Sequence, residues 1–188
     1  MEKIPDGYTR VSEILSIFQS YAHVPKDKLK RAQDVGTDVH EAIETYLKGD
    51  FIPLGSKLSP YFDSFLHWVQ NVRMTPILME ERLFDHGQLI TGRIDLLAEI
   101  DGKNVLVDFK TGSWAHPEIW KLQGTFYRGL LEGYWLGNDG PEMPDKFLFI
   151  QLQRDGSPPI LFNFDFDPLD VAVCTAALRC YHYFKKTS

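Results

Sequence analysis

The sequence predicts a mixed α/β (α+β) protein, a single domain over residues 1–188 whose central mixed sheet contains an antiparallel three-stranded meander flanked by helices. Three observations carry that expectation. A chain of 188 residues, 44% hydrophobic and 13% aromatic, is long enough for one sizeable core and short for two independent ones. Helical apolar spacing recurs before residue 75, whereas strand-like runs crowd together between residues 76 and 110. Two turn dipeptides, His86-Gly87 and Asp101-Gly102, separate those runs at hairpin spacing.

Thr9 is placed to cap a short amphipathic helix, "RVSEILSIFQ", and a longer helix runs from about Lys26 to Leu47 until Gly49 stops it. A third helix starts at Ser59-Pro60, with a capping residue and then a first-turn proline. The strands "PILMEERLFD", "QLITGRIDLLAEI" and "KNVLVDFK" follow and form the meander. Pro117 opens a helix that runs to about Trp135 and ends in a Gly/Pro/Asp-rich loop. "KFLFIQLQ" and "PILFNFD" are further strands, and "PLDVAVCTAALRCYHYFKK" is a closing helix. Residues 1–75 thus make a helical part and residues 76–188 the sheet with its closing helices, with no repeat or linker between them.

The opening "MEKIPDGYTR" lacks the apolar segment of a secretory signal, and no stretch approaches the roughly 20 apolar residues of a membrane span, so a cytoplasmic protein with no membrane contact is expected. Cys174 and Cys180 show no Cys-x-x-Cys spacing and are expected to be plain core thiols. A net charge of −6 excludes a broad basic coat for nucleic acid and leaves room only for a local one. The local candidate, "PKDKLKRAQ" with Lys26, Lys28, Lys30 and Arg31, is equally well explained as a solvated helix face.

The chemistry lies in the meander. If Asp101-Gly102 is a two-residue turn, Ile100 faces Lys103 and, by the same count, Asp95 faces Asp108, with Lys110 on the same side. The opposite side carries Ile94, Leu96, Ala98, Val105, Val107 and Phe109, which must pack on helices. A two-residue turn at His86-Gly87 puts Glu80 opposite Arg93 and onto the Asp95 side, with Glu81 pointing away and Gly92 keeping the chain beside the patch slim. Two carboxylates about 5 Å apart repel by on the order of 3 kcal/mol at an effective dielectric near 20. A divalent cation removes that repulsion, and carboxylate oxygens suit hard ions such as Mg²⁺ or Mn²⁺. The competing explanation is a salt-bridged face in which Lys110 and Arg93 neutralise the acids without a metal.

Taken in order, Glu80, "GRID", "DFKTG" and "QGTFY" resemble the PD-(D/E)XK nuclease superfamily in its RecB-like and phage lambda-exonuclease-like branch. That branch shows Gly-x-x-Asp, Asp-Tyr/Phe-Lys-Thr-Gly and Gln-x-x-x-Tyr, after a histidine on an earlier helix that "VGTDVHEAI" supplies as His40. The resemblance covers about residues 34–130. It implies a restriction-endonuclease-like core and a metal-dependent DNA nuclease, an exonuclease of linear DNA ends in phage or bacterial recombination or repair. Asp95, Asp108 and the Phe109 carbonyl would then hold Mg²⁺ or Mn²⁺ with His40 and Glu80, and Lys110 would orient the attacking water. Gln123 and Tyr127, four apart on one helix face, would hold Lys110 or a phosphate, with Arg93 and Thr111 also toward the substrate. His40 lies at the edge of the apolar stripe Val35, Val39, Ala42, Ile43 and Tyr46, and Gly36 one turn earlier would clear space for its ring. The implied partner is DNA; a homo-oligomer or a recombination partner protein stays open. A non-catalytic DNA-binding or assembly subunit with the same fold is the alternative, but such proteins often lose an acid or the lysine, and here all are present. Relatives with an iron–sulfur cluster need four cysteines, which two cannot supply.

Overall fold

The computed structural model describes residues 4–19, 25–50, 55, 58–136 and 140–186. In chain order the elements are β1 (Thr9–Arg10), α1 (Val11–Leu15) with a 3₁₀ turn over Ser16–Phe18, α2 (Lys26–Leu47), α3 (Ser59–Val69), β2 (Met74–Asp85), β3 (Ile90–Ile100), β4 (Lys103–Lys110), α4 (Pro117–Tyr134), β5 (Lys146–Gln151), β6 (Ile160–Asp165) and α5 (Pro168–Lys186). One mixed sheet runs β1-β3-β4-β5-β6, with β2 paired to β3. The β1–β3 and β4–β5 pairs are parallel and the others antiparallel. Among the described residues, no helix is long and apolar enough to cross a membrane.

Helices cover both faces of the sheet. On one side Leu15 of α1, Trp120, Leu130 and Leu131 of α4 and Leu178 of α5 pack on Leu83, Leu97, Leu106, Phe147 and Phe149. On the other, Val39 and Ile43 of α2 and Phe62, Phe65 and Trp68 of α3 pack on Leu96, Ala98, Val107, Phe109 and Ile150. Burial on both faces explains why Leu96, Leu97 and Ala98 run apolar without alternation.

The Asp101-Gly102 turn is the two-residue hairpin the sequence predicts. Both residues have positive φ, 50° and 75°, as a type I′ turn requires, and Ile100 pairs with Lys103. The His86-Gly87 turn is longer than expected. Asp85 pairs with Ile90, and the Asp85 side chain shapes the four-residue loop by accepting the Gly87 and Gln88 amides at 2.8 Å. This moves the β2–β3 register by two residues, so that Glu80 stands opposite Asp95 and not Arg93; because the shift is even, Glu80 keeps the side expected of it.

Four smaller expectations fail. Of the two cysteines expected in the core, Cys174 is buried but Cys180 is exposed. Thr9 is no helix cap but a buried residue of β1, pairing with Ile90, and the cap position falls to Arg10. Ser59 is already helical, with Leu58 at the cap position. Ile94 leaves the apolar side it was assigned and joins the core under α4, while Leu96 packs toward α2 and α3. The reason is a local irregularity inside the continuous strands: Glu80 has φ 50°, and the β2–β3 pairing skips it and Asp95 while resuming in the same register on either side.

Candidate active site

The irregularity in β3 coincides with a fork in the sheet. Backbone pairing between β3 and β4 stops at Leu96 and Val107, and β1 takes up the same edge of β3 only at Ile90 and Thr91. Asp95 and Asp108 lie one rung beyond the last pair, where the strands part. The Asp95 carboxylate bridges the gap, accepting the Phe109 amide through Oδ2 at 2.7 Å, so a backbone donor that lost its ladder partner is satisfied by a side chain.

From α2, His40 reaches into the fork. Its Nε2 lies 2.8 Å from the Phe109 carbonyl, which can only accept, so this nitrogen carries a proton. Nδ1 is then turned to Glu80 Oε1 and Asp95 Oδ1, each at 3.3 Å. Burial opposes a charge on His40, but Asp95 and then Glu80 outweigh it and hold its pKa well above the ordinary histidine value. Burial likewise works against the Asp95 charge, and His40 more than offsets it, so that the Asp95 pKa is lowered.

Gly36 does not clear space for the imidazole as expected: a Cβ there would stand 3.3 Å from Thr111 Oγ1, so its bareness lets α2 approach the end of β4. Gly92 likewise serves packing on the opposite side, since a Cβ would stand 2.6 Å from Tyr127 Cε1 and 2.9 Å from Leu130 Cδ1 on α4.

On the α4 side of the fork, Gln123 links the other two groups. Its Nε2 donates to Asp108 Oδ1 at 2.7 Å and to the Tyr127 hydroxyl at 2.9 Å, and its Oε1 accepts from Lys110 Nζ at 3.0 Å. Lys110 Nζ also lies 2.6 Å from Asp108 Oδ2, an ion pair without regular hydrogen-bond geometry, and 5.4 Å from the centroid of the Phe149 ring. Burial, and then the charge of Asp95, push the Asp108 pKa up to about 6 against the pull of Lys110. Burial and the charge of Asp108 raise that of Tyr127. Arg93 Nε binds both the backbone oxygen and Oε2 of Glu80, each at 2.9 Å.

Ten residues singled out in the sequence are thus placed: His40, Glu80, Arg93, Asp95 and Phe109 in one contact network, Asp108, Lys110, Gln123 and Tyr127 in a second that adjoins it along β4, with Thr111 beside them on a cleft of about 990 Å³. The basic run of α2 divides. Lys28 and Arg31 line this cleft; Lys26 and Lys30 do not. Tyr61 and Arg154 also line it and carried no motif that could have announced them.

The donor set fits a metal ion. His40, Glu80 and Asp95 each offer a ligand atom, all within 4.8 Å of one another. With Nε2–H committed to Phe109, the Nδ1 lone pair faces two carboxylate oxygens, an arrangement that needs a proton or a cation between them. Arg93 and Lys110 offset only two of the three carboxylate charges, which leaves one for a proton on His40 or for an ion.

A family model described as the PD-(D/E)XK nuclease superfamily matches residues 54–161, more than half of the chain. The chain belongs to the PD-(D/E)XK nuclease superfamily. Nucleases of this superfamily use divalent metal ions, and the mixed sheet flanked by helices is its restriction-endonuclease-like fold. No curated protein matches the nuclease. Among solved structures it is similar to SSO0001, at 15% identity over 97% of this chain and 79% of that chain, with a TM-score of 0.44. It is also similar to LHK-Exo in complex with dAMP, at 13% identity over 96% and 89% of the two chains, with a TM-score of 0.41. The alkaline exonuclease LHK-Exo from Laribacter hongkongensis matches at 13% identity over 96% and 93%, with a TM-score of 0.39.

Proposed function

We propose that this nuclease is a metal-dependent DNA exonuclease, a single cytoplasmic domain that degrades linear DNA from its ends in recombination or repair. The observation that supports it most strongly is His40 Nδ1 turned to the oxygens of Glu80 and Asp95, beside an ammonium group held in place on Asp108. His40, Glu80 and Asp95 would hold Mg²⁺ or Mn²⁺, with Asp108 and the Phe109 carbonyl adjoining. Such an ion supplies Lewis acidity toward a phosphoryl oxygen and makes a water molecule more acidic.

The chain's own residues do the rest. Phe109 fixes the two ligands flanking it, His40 through its carbonyl and Asp95 through its amide. Gln123 holds the Lys110 ammonium and the Asp108 carboxylate in one orientation, so that Lys110 presents a fixed positive charge to a phosphate as negative charge develops on it. Tyr127 buttresses Gln123 and, with its pKa raised, stays a neutral phenol.

The test is degradation of end-labelled linear DNA against closed circular DNA with Mn²⁺, Mg²⁺ or chelator. The expected result is ion-dependent loss of the linear form with the circle spared. Equal nicking of the circle would make the enzyme an endonuclease, and intact DNA under every condition would favour the non-catalytic subunit.

A further inference from the structure

The loop after Lys110 carries an aromatic residue for which the fold has no use. Trp114 is 80% exposed, whereas Trp68 and Trp120 are buried in the two cores. Its loop, residues 111–116, is tied at both ends. The Gly112 carbonyl accepts Gln151 Nε2 at 2.7 Å, and His116 occupies the cap position of α4. Trp114 follows two residues after Gly112, which lines the cleft. An indole this exposed, two residues from a cleft-lining glycine, can serve as a stacking platform, since every nucleobase offers a π-face.

The cleft adds charge of the matching sign. Lys28, Arg31 and Arg154 line it, and none of them has an ion-pair partner among the described residues. In a chain of net charge −6 these cations concentrate positive potential at the one place where a polyanion would meet the carboxylates. The cleft, at about 990 Å³, has room for a few nucleotides.

Building on the nuclease reading, we propose that the cleft takes one unpaired DNA strand, with Trp114 stacked on a base and Lys28, Arg31 and Arg154 holding adjacent phosphates. A base inside a duplex is already stacked on both faces, so this platform selects frayed or single-stranded ends.

Binding of labelled oligo(dT) in chelator, followed by fluorescence anisotropy over a salt series, separates the two contributions. Trp114→Ala should weaken binding about 5- to 100-fold, and Trp114→Phe should restore it to within about threefold. Arg31→Gln and Arg154→Gln should each lower the slope of log affinity against log salt by about 0.7, while Trp114→Ala leaves that slope unchanged, because stacking releases no counterions. A Trp114→Ala protein that binds like wild type, or a Trp114→Phe protein as weak as Trp114→Ala, overturns the stacking role while the nuclease reading stands. Wild-type protein that neither binds the strand nor degrades linear DNA overturns both.

Discussion

The β3–β4 hairpin is built on opposite terms at its two ends. At the turn, Leu96–Ile100 pair rung by rung with Lys103–Val107, backbone bonds to backbone, and apolar side chains bury on both faces. One rung further the strands part, Asp95 supplies the bond that backbone no longer makes, Glu80 takes a left-handed conformation, and two carboxylates gather around His40 while a third, Asp108, is held by Gln123 and Lys110. The closed half collects burial and regular hydrogen bonds, which stabilise; the open half collects charges that hold each other at unfavourable distances, which react. One pair of strands serves both ends because the first anchors the second.

Substitutions on either side of the fork should therefore separate catalysis from stability. The largest effect is expected in the open half, where Lys110→Ala should lower turnover on linear DNA about 100- to 1000-fold while Mn²⁺ affinity stays within about threefold. If Lys110 merely neutralised Asp108, the melting temperature would fall and turnover would not.

In the closed half the order reverses. Leu96 is fully buried between α2, α3 and the sheet, and Leu96→Ala should cost about 3 kcal/mol, a melting temperature lower by roughly 6–12 °C, with the Mn²⁺ affinity of the folded protein kept. A parallel loss of Mn²⁺ affinity would show that the two halves do not act separately.

A smaller difference distinguishes the two aspartates within the fork. Asp95→Ala orphans the Phe109 amide and should cost about 1–3 kcal/mol without metal. Asp108 behaves oppositely. Its folded pKa, pushed up to about 6 by burial and by the charge of Asp95, lies above the ordinary aspartate value of about 3.9. Its ionised form is therefore a net disadvantage that grows as pH rises from about 4 to 6 and persists above that. Asp108→Asn in chelator at pH 7.5 should thus keep or raise the melting temperature, though it abolishes cleavage. Thermal melts of both variants check this, and an equal fall in the two would remove the distinction.

Much of this contrast is legible in the residues. Asp101-Gly102 dictates a tight turn, and the pairing from Ile100–Lys103 to Leu96–Val107 follows from it by counting, whereas Asp95 and Asp108 lie one rung beyond the last pair, Asp95 turned to His40 of α2 and Asp108 to Gln123 of α4. Glu80 keeps its side although the loop at His86-Gly87 is longer than a two-residue turn, because the difference is an even number of residues. What counting could not reach is what depends on a third element. Gly36 and Gly92 are bare because Thr111 and Tyr127 press against them, and Arg154 joins Lys28 and Arg31 only when β5 is set beside β4. Nor does any periodicity announce the irregularity at Glu80 and Asp95, since it is imposed by the parting of the strands and not by local propensity.

Whether His40, Glu80 and Asp95 form the metal site is tested most directly by calorimetric Mn²⁺ titration of wild type and His40→Ala between about pH 7 and 8.5. In the metal-free protein Asp95 and Glu80 keep His40 protonated well above the usual histidine range, and a ligating imidazole must give up that proton. Raising the pH removes the competitor, so wild-type affinity should rise across this window, with protons released on binding. His40→Ala should bind more weakly and show a flat profile. A His40→Ala protein with wild-type affinity and the same rise with pH would contradict the assignment and leave the imidazole as a structural contact of α2.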